Sequence, residues 1–116
     1  AVVNLYLRGG ADTFNLLVPI NCALHDEYVA VRGLAALSNA QLLEISSSQA
    51  CQSFGLHYKL PKLRQLYQAG EAAFVSNIGA LVQPLTKYEY KSGSKPTCVG
   101  LFSHSDQTAA AQTLKC

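Results

Sequence analysis

The opening segment, AVVNLYLRGGADTFNLLVP, constrains the fold more than any other stretch of this chain. A nearly unbroken apolar run, Val2 to Leu7, meets Arg8, then Gly9-Gly10, then Asp12 and Asn15. Apolar density of this kind, closed by glycines, predicts a strand buried on both faces, as in a parallel sheet. The glycines permit a sharp turn at the carboxyl end of the strand. In open α/β sheets that end collects ligands and catalytic groups, so Asp12 and Asn15 are candidate functional residues. The alternative is that both only hydrogen-bond the backbone of their own turn.

The rest of the chain supplies companions for that strand. Pro61 to Ala69 predicts a helix, with Pro61 at the first helical position and Gly70 as a left-handed stop. Leu60, Leu63, Leu66 and Tyr67 share its apolar face. Ala72 to Ser76 then predicts a second buried strand, reached by a right-handed crossover. The implied fold is α/β, a few-stranded, mostly parallel sheet with flanking helices. Asn77 and Gly79 fall at the same sheet edge as Gly9-Gly10. Two strands are too few for a stable sheet. Either Leu16-Leu17-Val18 or Glu44-Ile45 adds strands, or the chain is part of something larger, with apolar faces that need a partner. Shorter helical pieces are expected at His25–Arg32, at Asn39–Leu43 behind a Ser38/Gln41 capping box, and after the Thr86/Glu89 capping box. A last helix runs from His104 to about Lys115, with Ser103 as its N-cap and Asp106 as the acidic partner.

Length and composition bound the function. A chain of 116 residues, 49% hydrophobic, holds one domain (1–116) with its own core. Charged residues are 14% and the net charge is +2, with no basic run, so nucleic acid is not an expected partner. No apolar stretch approaches the ~20 residues that cross a bilayer. The chain opens on Ala1 and shows no signal peptide, which suits either a processed product or part of a longer protein.

Cys22, Cys51, Cys98 and Cys116 are widely spaced, which excludes zinc-type pairs. An even count in a small chain predicts two disulfides and an oxidising compartment: extracellular, periplasmic or an organelle lumen. Of the three possible pairings, Cys22–Cys51 with Cys98–Cys116 is favoured. The first would staple the loop after the opening strand to the polar segment before Phe54.

The residues able to carry chemistry are Asp12, Asn15, His57, Ser103, His104 and Asp106. Ser103 at a helix N-terminus is a candidate nucleophile, because free N–H groups favour developing negative charge there. His104 beside it is a candidate base or metal ligand. The plainer readings are a helix cap for Ser103, a solvent-facing first-turn residue for His104, and a backbone-bonded histidine in a turn for His57. Asp12, His57 and His104 match a divalent-metal site in residue type but carry no spacing signature. There is no phosphate-binding loop and no G-x-S-x-G elbow.

Three segments in order, LYLRGGADTFNLLVP, FGLHYKLPKLRQLYQAGEAAFVSNIG and LFSHSDQ, resemble the family catalogued as domain of unknown function 1501, within the alkaline phosphatase and sulfatase superfamily. The resemblance implies an alkaline-phosphatase-like α/β sandwich. It matches Asp12 to an acid that often ligates a catalytic metal, and Ser103-His104 to a segment near the nucleophile of the superfamily. Tyr58 departs from the pattern, where proline usually follows FGLH. The segments correspond to the amino-terminal part of the family, without the later Asp/His-rich stretches. Two expectations follow. One is a non-catalytic structural or binding subunit that needs no cofactor and has a protein partner covering an open sheet edge. The other is the amino-terminal piece of a metal-dependent phosphate- or sulfate-ester hydrolase.

Overall fold

A computed structural model describes every residue except Leu114 and Cys116. The chain divides into two compact units, Asp12–Phe74 and, separately, Ala1–Ala11 together with Val75–Cys116.

In the unit Asp12–Phe74, β1 (Leu17–Ile20), β2 (Leu42–Ser46) and β3 (Ser53–His57) form one sheet in the order β1-β3-β2. Both pairings are antiparallel. This corrects the expected mostly parallel sheet. The link 47–52 between β2 and β3 is short, and the Ser47 N–H donates across it to the Gln52 carbonyl at 2.8 Å. So short a connection forces antiparallel pairing, since parallel strands need a crossover of about a dozen residues or more. Val2–Leu7 and Ala72–Ser76 form no strand. The strands come instead from the stretches around Leu17-Val18 and Glu44-Ile45.

Helix α1 (Ala23–Arg32) follows β1, and α2 (Pro61–Gln68) follows β3. Leu63, Arg64, Leu66 and Tyr67 of α2 are half-buried, the face its sequence spacing predicts. Gly70, at φ +73°, ends it. The Ser38/Gln41 pair caps a single 3-10 turn, Asn39–Gln41, rather than a helix reaching Leu43, because β2 begins at Leu42.

The core of this unit is small. Val18 and Leu56 are wholly buried on opposite faces of the sheet. Ile20 and the Tyr28 ring cluster with Val18, with Ala36 and Leu42 packed against them, and Ile45 and Cys51 are also buried. The Tyr28 hydroxyl donates to Asn15 Oδ1 and accepts from the Leu37 N–H, both at 2.8 Å. Cys22, just before α1, is bonded to Cys51 in the 47–52 link, as expected. The other expected pair, Cys98–Cys116, reaches Cys116, which lies outside the described residues.

Both outer edges of the sheet are blunted. Pro19 in β1 has no N–H, and its carbonyl accepts from His25 Nδ1 at 3.0 Å. On β2, the Glu44 carbonyl accepts from Arg64 Nε at 3.0 Å and the Ser46 carbonyl from the Tyr67 hydroxyl at 2.9 Å. Proline and covering side chains are devices that stop further strands from adding.

Gly55 lies buried at the centre of β3, where an added Cβ would come within 2.7 Å of Leu42 Cβ. Gly55→Ala is therefore expected to lower stability by about 1–3 kcal/mol, the usual cost of overpacking. A thermal midpoint equal to that of the parent chain would contradict this.

The second unit carries α3 (Lys87–Ser92) and α4 (His104–Thr113). The Thr86/Glu89 capping box forms as its sequence predicts. Thr86 N–H donates to Glu89 Oε2 at 2.9 Å, and Glu89 N–H donates to Thr86 Oγ1 at 3.2 Å. Glu89 also pairs with Lys95 at 2.6 Å. The Lys95 bond first, then the Thr86 bonds, lower the Glu89 carboxyl from its ordinary 4.5 to about 2. A carboxyl depressed in the folded state supports α3 fully above about 4.5 and loses that support as pH falls through about 2. Titration of Glu89 by NMR is expected to show this low midpoint, and Lys95→Ala to move it upward. An ordinary carboxylate midpoint in the parent chain would contradict the bonding described.

Candidate functional site

The Val2–Leu7 run ends in a turn that requires glycine. Gly9 and Gly10 hold φ +88° and +100°, a region that side chains avoid. At Gly10 a Cβ would approach within 3.3 Å of His104 Cε1. The bare glycine backbone thus receives the His104 ring at the start of α4. The unit brings together two motifs that are distant in sequence, Gly9-Gly10 and Ser103-His104.

Ser103 behaves as a cap. Its N–H donates to the Gly100 carbonyl at 2.7 Å, and the Asp106 N–H reaches Ser103 Oγ at 3.4 Å. Ser103 Oγ also lies 3.0 Å from Ser105 Oγ. Among the described residues no imidazole or carboxylate hydrogen-bonds Ser103 Oγ. The Asp106 carboxylate packs on Gly100, whose φ of +65° and missing Cβ make the room.

Asp12 and His57 belong to the unit Asp12–Phe74. The Asp12 carboxylate is paired with the Arg32 guanidinium, which also lies 5.8 Å from the centre of the Phe14 ring. Asn15 joins Tyr28 and donates from Nδ2 to the Ala35 carbonyl at 2.9 Å, so its amide ties loop to helix. His57 ends β3 rather than sitting in a turn. Its Nδ1 accepts from the Lys59 N–H at 3.2 Å, and its ring stacks on Tyr58 at 4.7 Å. Among the described residues no three His, Cys, Asp or Glu side chains gather as a metal-binding group. The Asp12 carboxylate is engaged by Arg32.

The unit that holds His104 has a cleft of about 890 Å³. Tyr6, the loop 77–81, Leu101, Phe102 and the α4 residues Gln107, Ala110 and Ala111 line it, with Lys115 the single charge among them. Its size is typical of ligand or side-chain pockets. The alanines of α4, which give that helix little amphipathic pattern, leave the open space. Sequence reading missed Tyr6, Ile78 and Phe102 as site residues. The available signal was Asn77, a residue type that tolerates left-handed backbone, within FVSNIGALV; it holds φ +59°. Around the cleft apolar groups stand in water: Ile78 is 79% and Phe102 77% exposed.

No family model, curated protein or solved structure matches the chain. No helix among the described residues is long and apolar enough to cross a membrane.

Proposed function

We propose that this chain is a non-catalytic structural or binding subunit that docks on protein through the apolar surface of the unit holding α3 and α4. One observation carries the reading: the nearly unbroken apolar run Val2–Leu7 lies in water, with Val2 98%, Val3 89% and Leu5 84% exposed. Exposed apolar area on this scale marks an interaction surface. The Cys22–Cys51 bond supports a place in an oxidising compartment, extracellular, periplasmic or lumenal.

The test uses a photoreactive residue in the full chain, in extracts of its native source. Placed at Phe102, it is expected to form one discrete adduct, which Ile78→Asp abolishes. Placed at Val31, exposed on α1 in the other unit, it is expected to form none. Equal or absent adducts at both sites would overturn the docking reading.

A second reading is favoured by the Gly10–His104 contact, which joins the first and third segments of the family resemblance. In it the chain is the amino-terminal part of an alkaline-phosphatase-like hydrolase of phosphate or sulfate esters, completed by residues beyond this sequence. A native polypeptide with a mass well above 12.4 kDa that hydrolyses p-nitrophenyl phosphate or sulfate, and loses this with Ser103→Ala, would establish it in place of the first.

A further inference from the structure

We propose that the cleft between the loop 77–81 and α4 binds one free single-chain amphiphile, its carboxylate at Lys115 and its alkyl chain against Ile78 and Phe102. The inference goes beyond the docking reading and does not depend on it. It rests on a concavity and its charge, not on the exposed run 2–7.

The walls of the cleft are tied in place. The Arg8 N–H donates to the Tyr6 carbonyl at 3.1 Å, and the Tyr6 hydroxyl lies 3.5 Å from Thr108 Oγ1 on α4. The Phe102 ring meets the Tyr90 ring edge-on at 6.0 Å. Between these walls α4 contributes Ala110 and Ala111, side chains too short to close the space. The resulting volume, about 890 Å³, lies within the range of small-ligand sites.

The lining selects the ligand class. Gln107, Ala110 and Ala111 follow one face of α4 at i, i+3 and i+4, and Lys115 lies beyond the helix end. The apolar strip thus runs lengthwise with its charge at one end, which suits an extended chain with one terminal anion. The Gln107 Nε2 group already donates to the Leu101 carbonyl. Lys115 is the single charge on the walls. It also lines a smaller hollow of about 120 Å³ beside the cleft, together with Asp106. Among the described residues no ion pair joins Lys115 to Asp106, so the ammonium is open to an anion from the cleft. Lysine acts as a point charge and is matched by one carboxylate. Lys115 is exposed, so that carboxylate stays partly hydrated while the chain leaves water.

The test is calorimetric titration of the full chain with decanoate and with 1-decanol at neutral pH. Decanoate is expected to fill one site with a Kd of about 1–100 µM. Lys115→Gln is expected to weaken decanoate about fivefold, the worth of an exposed ion pair, and to leave 1-decanol nearly unchanged. A variant that had lost its fold would weaken both. Ala110→Phe fills the cleft and is expected to weaken both ligands about tenfold or more, whereas Val31→Asp, exposed on α1 of the other unit, leaves both unchanged. In the parent chain decanoate is expected to shift the methyl signals of Ala110 and Leu81 and to leave those of Val18 and Leu56 in place. Absence of saturable decanoate binding, equal weakening of both ligands by Lys115→Gln, or methyl shifts confined to residues outside the cleft overturns the proposal.

Discussion

Replacing Cys22 and Cys51 together by alanine is expected to lower the stability of the Asp12–Phe74 unit by about 3–4 kcal/mol. The bond closes a loop with a sequence separation of 29. In the chain-entropy model, closing a loop of this length removes that much freedom from the unfolded chain. The effect is large here because the core is small. Only Val18, Ile20, Tyr28, Ile45, Cys51 and Leu56 are buried apolar residues in this unit among those described. A net stability of about 5–15 kcal/mol is usual for a whole domain, so the loss leaves a small unit close to unfolding. Because Cys22 immediately precedes α1, the loss also frees the start of that helix. The chain has no tryptophan, so tyrosine fluorescence in a urea titration is the suitable readout. A midpoint shared with the parent chain would show that the bond is incidental.

Leu56→Ala should cost a similar amount, about 2–5 kcal/mol, by a different route. Leu56 is wholly buried on the central strand β3, paired with Leu17 on one side and Leu43 on the other. Truncation loses transfer free energy and leaves a cavity that flanking strands cannot fill without shifting. This loss arises in the folded state, whereas that of the disulfide arises mainly in the unfolded state. A Leu56→Ala chain with an unchanged urea midpoint would place the core elsewhere.

Local signals in the sequence were legible where they are self-contained. The Thr86/Glu89 box, the Pro61 start and Gly70 stop of α2, and the Cys22–Cys51 pair all stand as their residues imply. Each depends on a few neighbouring atoms or on a simple choice of partner. Sheet topology was not legible, because it depends on which apolar run finds a neighbour. Val2–Leu7 is a nearly unbroken apolar run, yet Leu17–Ile20, interrupted by Pro19, makes the strand. The short link 47–52 decided the direction of pairing, and its polar residues read only as a loop.

The candidate site was legible in part. The two glycines and His104 were read separately, and the contact between them required the fold. Asp12 was a candidate ligand-facing residue or a turn-bonding one, and Arg32 at the end of α1 pairs with it. That pairing spans twenty positions, which no local pattern reveals. The apolar cleft escaped notice because Tyr6, Ile78 and Phe102 come from three segments distant in sequence.

Hydrogen exchange of the amides in Val2–Leu7 tests the central claim most directly. It compares the assembled protein from its native source with the same chain diluted to a monomer. These amides are expected to exchange freely in the dilute chain and to be protected in the assembly, while Leu56 on β3 stays protected in both. Free exchange of residues 2–7 in both samples would contradict a docking role for this segment.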